Sequence, residues 1–238
     1  CSILCFKVLQ LNCIYWLMKA IIFSLLGWMF LPVMDGFAKF LSDDLPILQI
    51  TWARYFFTVV FTLPIMMFFF KKQLVWSDKP KLQILRGLIL LSANICFFYA
   101  ISIISLAKAL TLAFVAPLIV TAFSPVMLGE KVGFRRWTAV VVGFIGSLVV
   151  IRPGFVELNF ASLAALGTGI LYGFYLIITR KLSTSDNPLL TLLMTGMVGA
   201  VLVSVIIPFY WVKPSLNQWS LMAGIGVFAC IGHLFLIL

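Results

Sequence analysis

The sequence predicts an all-α, polytopic membrane protein: two inverted repeats of five transmembrane helices, the second incomplete, with about eight helices present. Three observations predict it. The 238 residues are 63% hydrophobic and only 10% charged, where soluble domains are near half apolar and a quarter charged. A water-soluble fold of this length has nowhere to hide so much apolar surface, so lipid must solvate much of it. The apolar residues fall into runs of roughly 20, the length that crosses a hydrocarbon core. A pattern of turns also recurs along the chain with its polarity reversed.

Taken in order, the spans are expected over 20–41, 46–70, 84–104, 106–128, 137–152, 159–180, 188–211 and 218–238. Residues 1–19 are read as an N-terminal tail. Residue 1 is Cys, and translation is expected to begin at Met18, directly before the first apolar run. Pro46 and Pro188 sit at helix starts, where a missing N–H costs little. Pro117 lies inside the fourth span and should kink it. The fifth span is the shortest and leans on Arg136 and Arg152 at its ends, whose long side chains can snorkel to water. The seventh is the clearest, with no charge between Asp186 and Lys213.

The formal net charge of +10 would fit a nucleic-acid partner in a soluble protein. Here the basic residues cluster in short polar segments between apolar runs, which the positive-inside rule explains without nucleic acid. Lys7 and Lys19, then Lys71, Lys72, Lys79, Lys81 and Arg86, then Lys131, Arg135 and Arg136, then Arg180 and Lys181 all fall on one side: twelve of the seventeen basic residues. The other side receives Arg152, Lys213 and the acidic pair Asp43-Asp44. This bias places the N-terminus and the even-numbered loops in the cytoplasm. Cys1, Cys5, Cys13, Cys96 and Cys230 show neither metal-ligand spacing nor a disulfide framework, and read as small hydrophobes.

"KFLSDDLPILQI" (39–50) resembles "RKLSTSDNPLLTLL" (180–193), and "VWSDKPKLQILRG" (75–87) resembles "YWVKPSLNQWSLMAG" (210–224). Pro64 near the end of span two is echoed by Pro208 near the end of span seven. The offset is about 140 residues, so the unit holds five spans, an odd number that forces the second copy to insert upside down. The first repeat is placed at 20–154 and a partial second repeat at 155–238. By the repeat offset two more helices, roughly 55 residues, are expected to follow Leu238. Inverted repeats mark alternating-access carriers, with the substrate site near the midplane.

Three stretches carry a resemblance to a known family: "WARYFFTVVFTLP" (52–64), "SLAKALTLAFVAPLIVTAFSPVMLGEKVGFRRWTAVVVGFIGSLVVIRPG" (105–154) and "GHLFLIL" (232–238). The chain resembles the EamA branch of the drug/metabolite transporter superfamily, a ten-helix family of two five-helix repeats. The second stretch is the most specific and is similar to that family's fourth helix, Gly-Glu-Lys turn and Gly-rich fifth helix. The resemblance implies a carrier class but not a cargo, since members resemble amino-acid exporters or uptake systems for S-adenosylmethionine or riboflavin.

Ionisable and polar groups inside spans are costly and mark cavities or partners. Asp35 and Lys39, four apart on span one, can pair along one helix face, or Asp35 can bind a cation or a substrate amine. Arg54 shares a stripe with Thr51, Thr58 and Thr62 that should face the bundle interior, to bind substrate or to hold helices together. Lys108 either snorkels or attracts anions at the outer mouth. Trp28, Pro32, Asp35 and Lys39 share one face of span one; Thr168, Tyr172, Tyr175 and Thr179 share one face of its repeat partner. Such stripes are packing or pathway lining. Asn94, Tyr99 and His233 add polar groups on corresponding helices, His233 as a structural group or a proton-coupling one. Glu130 ends span four beside Lys131; the family match makes it a motif position, and it can tie the helix end to Arg135 or Arg136 as part of an inner gate. The candidate pathway is therefore Asp35, Arg54, Asn94, Tyr99, Lys108, Tyr172, Tyr175 and His233, with Glu130 and Lys39 as gate residues. Gly169 with Gly173, Gly143 with Gly146, and Gly196 with Gly199 should allow close helix approach.

The expected function is secondary transport of a small polar metabolite across a bacterial inner membrane by alternating access. No GxxxxGK[ST] phosphate loop, catalytic constellation, metal site or cofactor motif is read from the sequence. The rival classes are a membrane-embedded enzyme and a channel or non-transporting assembly protein. The partners expected are a small-molecule substrate, the lipid bilayer and, as one option, a second copy in a homodimer; nucleic acid is not among them.

Overall fold

A computed structural model describes residues 2–69, 77–151, 159–183 and 185–237. The described chain is a bundle of nine helices: α1 (Ser2–Leu41), α2 (Ile47–Phe69), α3 (Pro80–Ile103), α4 (Leu106–Ala113), α5 (Ala116–Leu128), α6 (Phe134–Ile151), α7 (Phe160–Leu182), α8 (Pro188–Ile206, continued by a 3-10 turn over Ile207–Tyr210) and α9 (Leu216–Ile237). Seven segments among the described residues are long and apolar enough to cross a membrane: Ile21–Leu41, Ile47–Phe68, Pro80–Ile103, Leu106–Leu128, Phe160–Leu182, Pro188–Tyr210 and Leu216–Ile237. The expected fifth span is α6, 18 residues long with Arg135 and Arg136 in its first turn. Arg152, assigned to its other end, lies outside the described residues, as do Lys71 and Lys72. α1 begins at Ser2, well before the expected span, because no glycine or proline interrupts helical sequence until Gly27.

Local signals set the helix ends. Pro80 and Pro188 occupy the first turns of α3 and α8, where their missing N–H breaks no bond. Asn159 caps α7 by accepting the Ser162 backbone N–H at 2.9 Å, and Asn187 caps α8 by accepting that of Leu189 at 2.9 Å. Gly129 closes α5 in the left-handed region, with φ of 70°, which glycine adopts without Cβ strain. The fourth span is broken outright: α4 stops at Ala113 and α5 starts at Ala116. Pro117 has no N–H to offer the Ala113 carbonyl, so the ladder cannot run through.

The bundle has two ends. Ser77 donates a hydrogen bond to Asp186, and Arg180 pairs with Glu130 at 2.7 Å. These contacts bring the α2–α3, α5–α6 and α7–α8 connections together at one end. At the other, Gln49 Nε2 donates to the Val212 carbonyl at 2.8 Å and Gln218 Nε2 to Asp44 at 3.1 Å, joining the α1–α2 and α8–α9 connections. α1 packs along α9, α3 along α7 and α8, and α2 along α8 and α9.

Glycines let these helices approach. A Cβ on Gly226 of α9 would strike Phe57 of α2, including its backbone carbon at 3.0 Å. One on Gly199 would strike the Tyr55 ring, and one on Gly196 would sit 3.0 Å from Val59. The expectation for Gly143 and Gly146 is corrected: a Cβ added to either would meet nothing within 4 Å among the described residues. α6 packs on α4 and α5 among its closer neighbours, and Gly143 borders a gap against Phe114 and Pro117 in place of a close contact. The largest apolar cluster joins Leu31, Met34 and Leu41 of α1 to Ile50, Phe98, Ile101, Met222 and Ile225 near the α1–α2 end.

Candidate functional site

Below that apolar cluster the bundle opens into a cavity of about 540 Å³, walled by α1, α2, α3, the α4–α5 break, α7 and α9. It is open on the side between α1 and the break, where Trp28 and Phe114 are each 48% exposed. The wall is mainly apolar and aromatic, interrupted by Asp35, Arg54, Asn94, Thr168, Tyr172 and His233. A concave apolar pocket with a few convergent polar groups is the usual form of a small-molecule site.

The α2 stripe turns inward as its spacing requires: Thr51, Arg54, Thr58 and Thr62 are all buried. Thr51 and Thr58 satisfy themselves by donating to carbonyls one turn back. Arg54 reaches across the bundle. Its Nη1 donates to Asn94 Oδ1 at 2.6 Å and its Nη2 faces His233 Nε2 at 3.3 Å, which can only be an acceptor there. Asn94 in turn donates to the Tyr55 hydroxyl. One guanidinium thus ties α2 to α3 and α9 at the cavity wall.

Asp35 is 7% exposed and lines the same cavity. The expected pairing with Lys39 is corrected: both salt bridges among the described residues belong to Glu130. The two side chains part because Asp35 points inward while Lys39 is half-buried and lies off the cavity wall. Asp35 makes no ion pair with Arg54 either, although both charges face the same space.

The stripe on α7 serves two places. Thr168 and Tyr172 line the cavity; Tyr175 and Thr179, one and two turns on, are buried and hold Arg86. Arg86 is the largest correction to the expectations from sequence, which counted it among the loop cations. It is fully buried. Its Nε donates to Thr179 Oγ1 at 2.7 Å, its Nη2 to the Tyr175 hydroxyl at 2.7 Å, and its Nη1 to the Thr191 carbonyl at 3.0 Å and to Thr195 Oγ1. The guanidinium also stacks 4.5 Å from the Tyr175 ring centroid. Beside it Gln83 donates to Asp186 at 2.6 Å and to Thr191 at 3.1 Å. Arg86 therefore fastens α3 to α7 and α8 with hydroxyls and a carbonyl in place of a counter-charge. A ring ladder connects the two sites: Tyr172 stacks on Tyr175 at 5.3 Å between centroids, and Tyr175 lies 6.1 Å from His233.

The other residues expected at the pathway or gate fall elsewhere for plain reasons. Tyr99 is 38% exposed on the outer side of α3. Lys108, at the start of α4, is half-buried and outside the cavity wall. Glu130 sits at the far end of α5 and pairs with Arg180 at 2.7 Å and Arg136 at 3.8 Å; the sequence does not point to Arg180 as its partner. Gly169 and Gly173 seat the α4–α5 break on α7: a Cβ on Gly169 would lie 2.6 Å from the Ala113 carbonyl oxygen, and one on Gly173 2.7 Å from Ile119.

A helical bundle of membrane-crossing segments around a laterally open, sparsely polar cavity defines an integral membrane protein of the carrier type. The model of the EamA-like transporter family matches residues 10–152, and the chain belongs to that family. It is similar to an S-adenosylmethionine uptake transporter of Rickettsia prowazekii (strain Madrid E), 26% identical over 91% of this chain and 71% of that protein. It is similar to a pseudopaline exporter of Pseudomonas aeruginosa, 28% identical over 92% of this chain and 78% of that one. A riboflavin transporter of Vibrio cholerae is 30% identical over 53% of this chain and 43% of its own length. A solved crystal structure of a protein superposes with a TM-score of 0.71 at 16% identity, covering 90% of this chain and 77% of the other, a likeness of fold.

Proposed function

We propose that this chain is a secondary carrier that moves a small polar metabolite across a bacterial inner membrane by alternating access, with the 540 Å³ cavity as its transport site. The observation that carries the reading is the placement of Asp35, Arg54, Asn94 and His233 in one cavity inside an otherwise apolar bundle, because ionisable groups at membrane depth are retained at substrate and ion pathways. The relatives named above are importers and exporters, which supports transport in place of catalysis and leaves direction to the gradient.

The packing supports two inverted repeats, 20–154 and 155–238. If α1, α2 and α3 correspond to α7, α8 and α9, exchanging the two sets turns the α1–α9 contact into α7–α3 and the α2–α9 contact into α8–α3. It leaves α2–α8 in place. All five contacts are among the principal ones of the bundle. Rocking of one set against the other then exposes the cavity to each side in turn. The Arg86 clamp and the Glu130–Arg180 pair close the cavity toward the α7–α8 end in the state described. That end carries Lys79, Lys81, Lys131, Arg135, Arg136, Arg180 and Lys181, and is assigned to the cytoplasm with the N-terminus; removing Arg86 from the count leaves the bias intact.

Two measurements test this. In intact cells, Asp43→Cys and Asn217→Cys should react with an impermeant thiol reagent, while Asp78→Cys and Ser183→Cys should react only after the membrane is opened. Labelling of Asp43→Cys and Ser183→Cys from the same side would end the proposed topology. In proteoliposomes, Arg54→Ala should reduce counterflow of a transported solute to background while the protein still inserts, because Asn94 and His233 lose their donor and the cavity its positive wall. Unchanged flux would remove Arg54 from the pathway.

A further inference from the structure

We infer that the cavity is built for a dipolar metabolite, whose positive centre docks on Asp35 and whose carboxylate docks at Arg54. This rests on the carrier reading above and goes beyond it to the chemical class of cargo. The wall carries one acidic and one basic side chain. Asp35 is more than nine-tenths buried, yet no described residue supplies it with an ion pair or a hydrogen bond. A buried carboxylate left without a partner is costly, and Lys39, the cation one turn along the same helix, does not meet it. A cationic centre entering the cavity supplies that partner. The surrounding Trp28, Phe97 and Tyr172 offer aromatic surface that favours a cation over a neutral group.

Arg54 complements this across the cavity. Its guanidinium is oriented by Asn94 and faces a neutral nitrogen of His233 at 3.3 Å, a long contact that a carboxylate oxygen would replace with a charge-assisted bond. The two charges of the wall sum to zero, so a ligand with both signs leaves no net charge at membrane depth. A ligand with only one sign leaves either Asp35 or Arg54 uncompensated. The relatives' named substrates divide on this point: S-adenosylmethionine carries a carboxylate together with an α-ammonium and a sulfonium, whereas riboflavin has no cationic centre.

The test uses the chain in proteoliposomes with labelled S-adenosylhomocysteine, which carries one ammonium and one carboxylate, as the probe, displaced by three relatives of the same body. Its deaminated analogue lacks the ammonium, its decarboxylated analogue lacks the carboxylate, and methylthioadenosine lacks both. S-adenosylhomocysteine should bind about tenfold or more tighter than either singly altered ligand, the scale of one charge-assisted contact, and methylthioadenosine weakest. In Asp35→Asn, nearly isosteric with the native side chain, the preference over the deaminated analogue should vanish while that over the decarboxylated ligand remains. In Arg54→Gln the reverse should hold. Equal affinities across the wild-type series overturn the inference without any variant. So does an Asp35→Asn protein that loses uptake but keeps its preference for the ammonium. Binding by none of the four overturns it too. In that case riboflavin uptake by the same vesicles leaves the carrier reading standing, and failure of every labelled solute removes both.

Discussion

Replacing Arg86 by methionine is expected to destabilise the folded bundle by about 3 kcal/mol, read from reversible unfolding in mixed micelles. Two effects oppose each other. The substitution relieves the desolvation of a charge, which at a span centre costs about 2.5–3.5 kcal/mol. But Arg86 lies less than two turns from the start of α3, close enough to reach the interface when the helices are apart, so little of that cost is recovered. Against it stands the loss of four hydrogen bonds to α7 and α8, each worth about 1.5–3 kcal/mol to a charged donor though not additively. Arg86→Lys should fall between, since an ammonium cannot reproduce the planar fork that reaches Thr179, Tyr175 and Thr195 together. If the clamp closes the cavity, a cysteine placed at Leu176 on the wall should react faster with impermeant reagent from the α7–α8 side in Arg86→Lys than in the parent. Unchanged stability in Arg86→Met, or unchanged reactivity in a folded Arg86→Lys, would each remove one half of this account.

A single methyl on Gly169 should cost about 2 kcal/mol, the usual penalty of overpacking, and cut flux by about tenfold or more because a one-ångström shift at a binding wall has effects of that order. The added Cβ would meet the Ala113 carbonyl oxygen at 2.6 Å and crowd Val115 still more closely. Both belong to the break, and its backbone cannot rotate out of the way as a side-chain tip can. The break would have to lift from α7, carrying Ala113, Phe114, Ala116 and Pro117 of the cavity wall with it. Gly167→Ala is the internal control. Nothing lies within 4 Å of its added Cβ, so it should gain up to about 1 kcal/mol from helix propensity and leave flux alone. Equal effects at the two positions would show that the break is free to move.

Much of this is legible in the sequence where one physical signal acts alone. Span length and apolarity locate every helix from α2 onward to within a few residues. The four-residue spacing of Thr51, Arg54, Thr58 and Thr62 places that face inward, and Pro117 marks the interruption of the fourth span. The misses arise where two signals compete. Arg86 is grouped with the loop cations because Lys79 and Lys81 beside it are basic and it lies only two residues inside the expected span of 84–104. The proline logic applied to Pro46 and Pro188, extended to Pro80, starts the helix about one turn earlier and sets Arg86 well within it. The α7 stripe is legible as a stripe, but its division between cavity and clamp is not, because Tyr175 and Thr179 are assigned by what faces them on α3. Asp35 and Lys39 sit at ideal helical spacing, yet Asp35 lines the cavity while Lys39 lies off its wall, and no ion pair joins them.

Tyr175 belongs to both places at once: its ring stacks on Tyr172 in the cavity wall and its hydroxyl receives Arg86. In the proposed carrier cycle, Tyr175 would therefore couple occupancy of the cavity to closure of the clamp. Cargo that shifts the Tyr172 ring alters the strength of the clamp, and by reciprocity the clamp alters the affinity for cargo by the same factor. A phenylalanine at position 175 keeps the ring and removes the hydroxyl, and would sever that linkage while sparing the walls on either side of it.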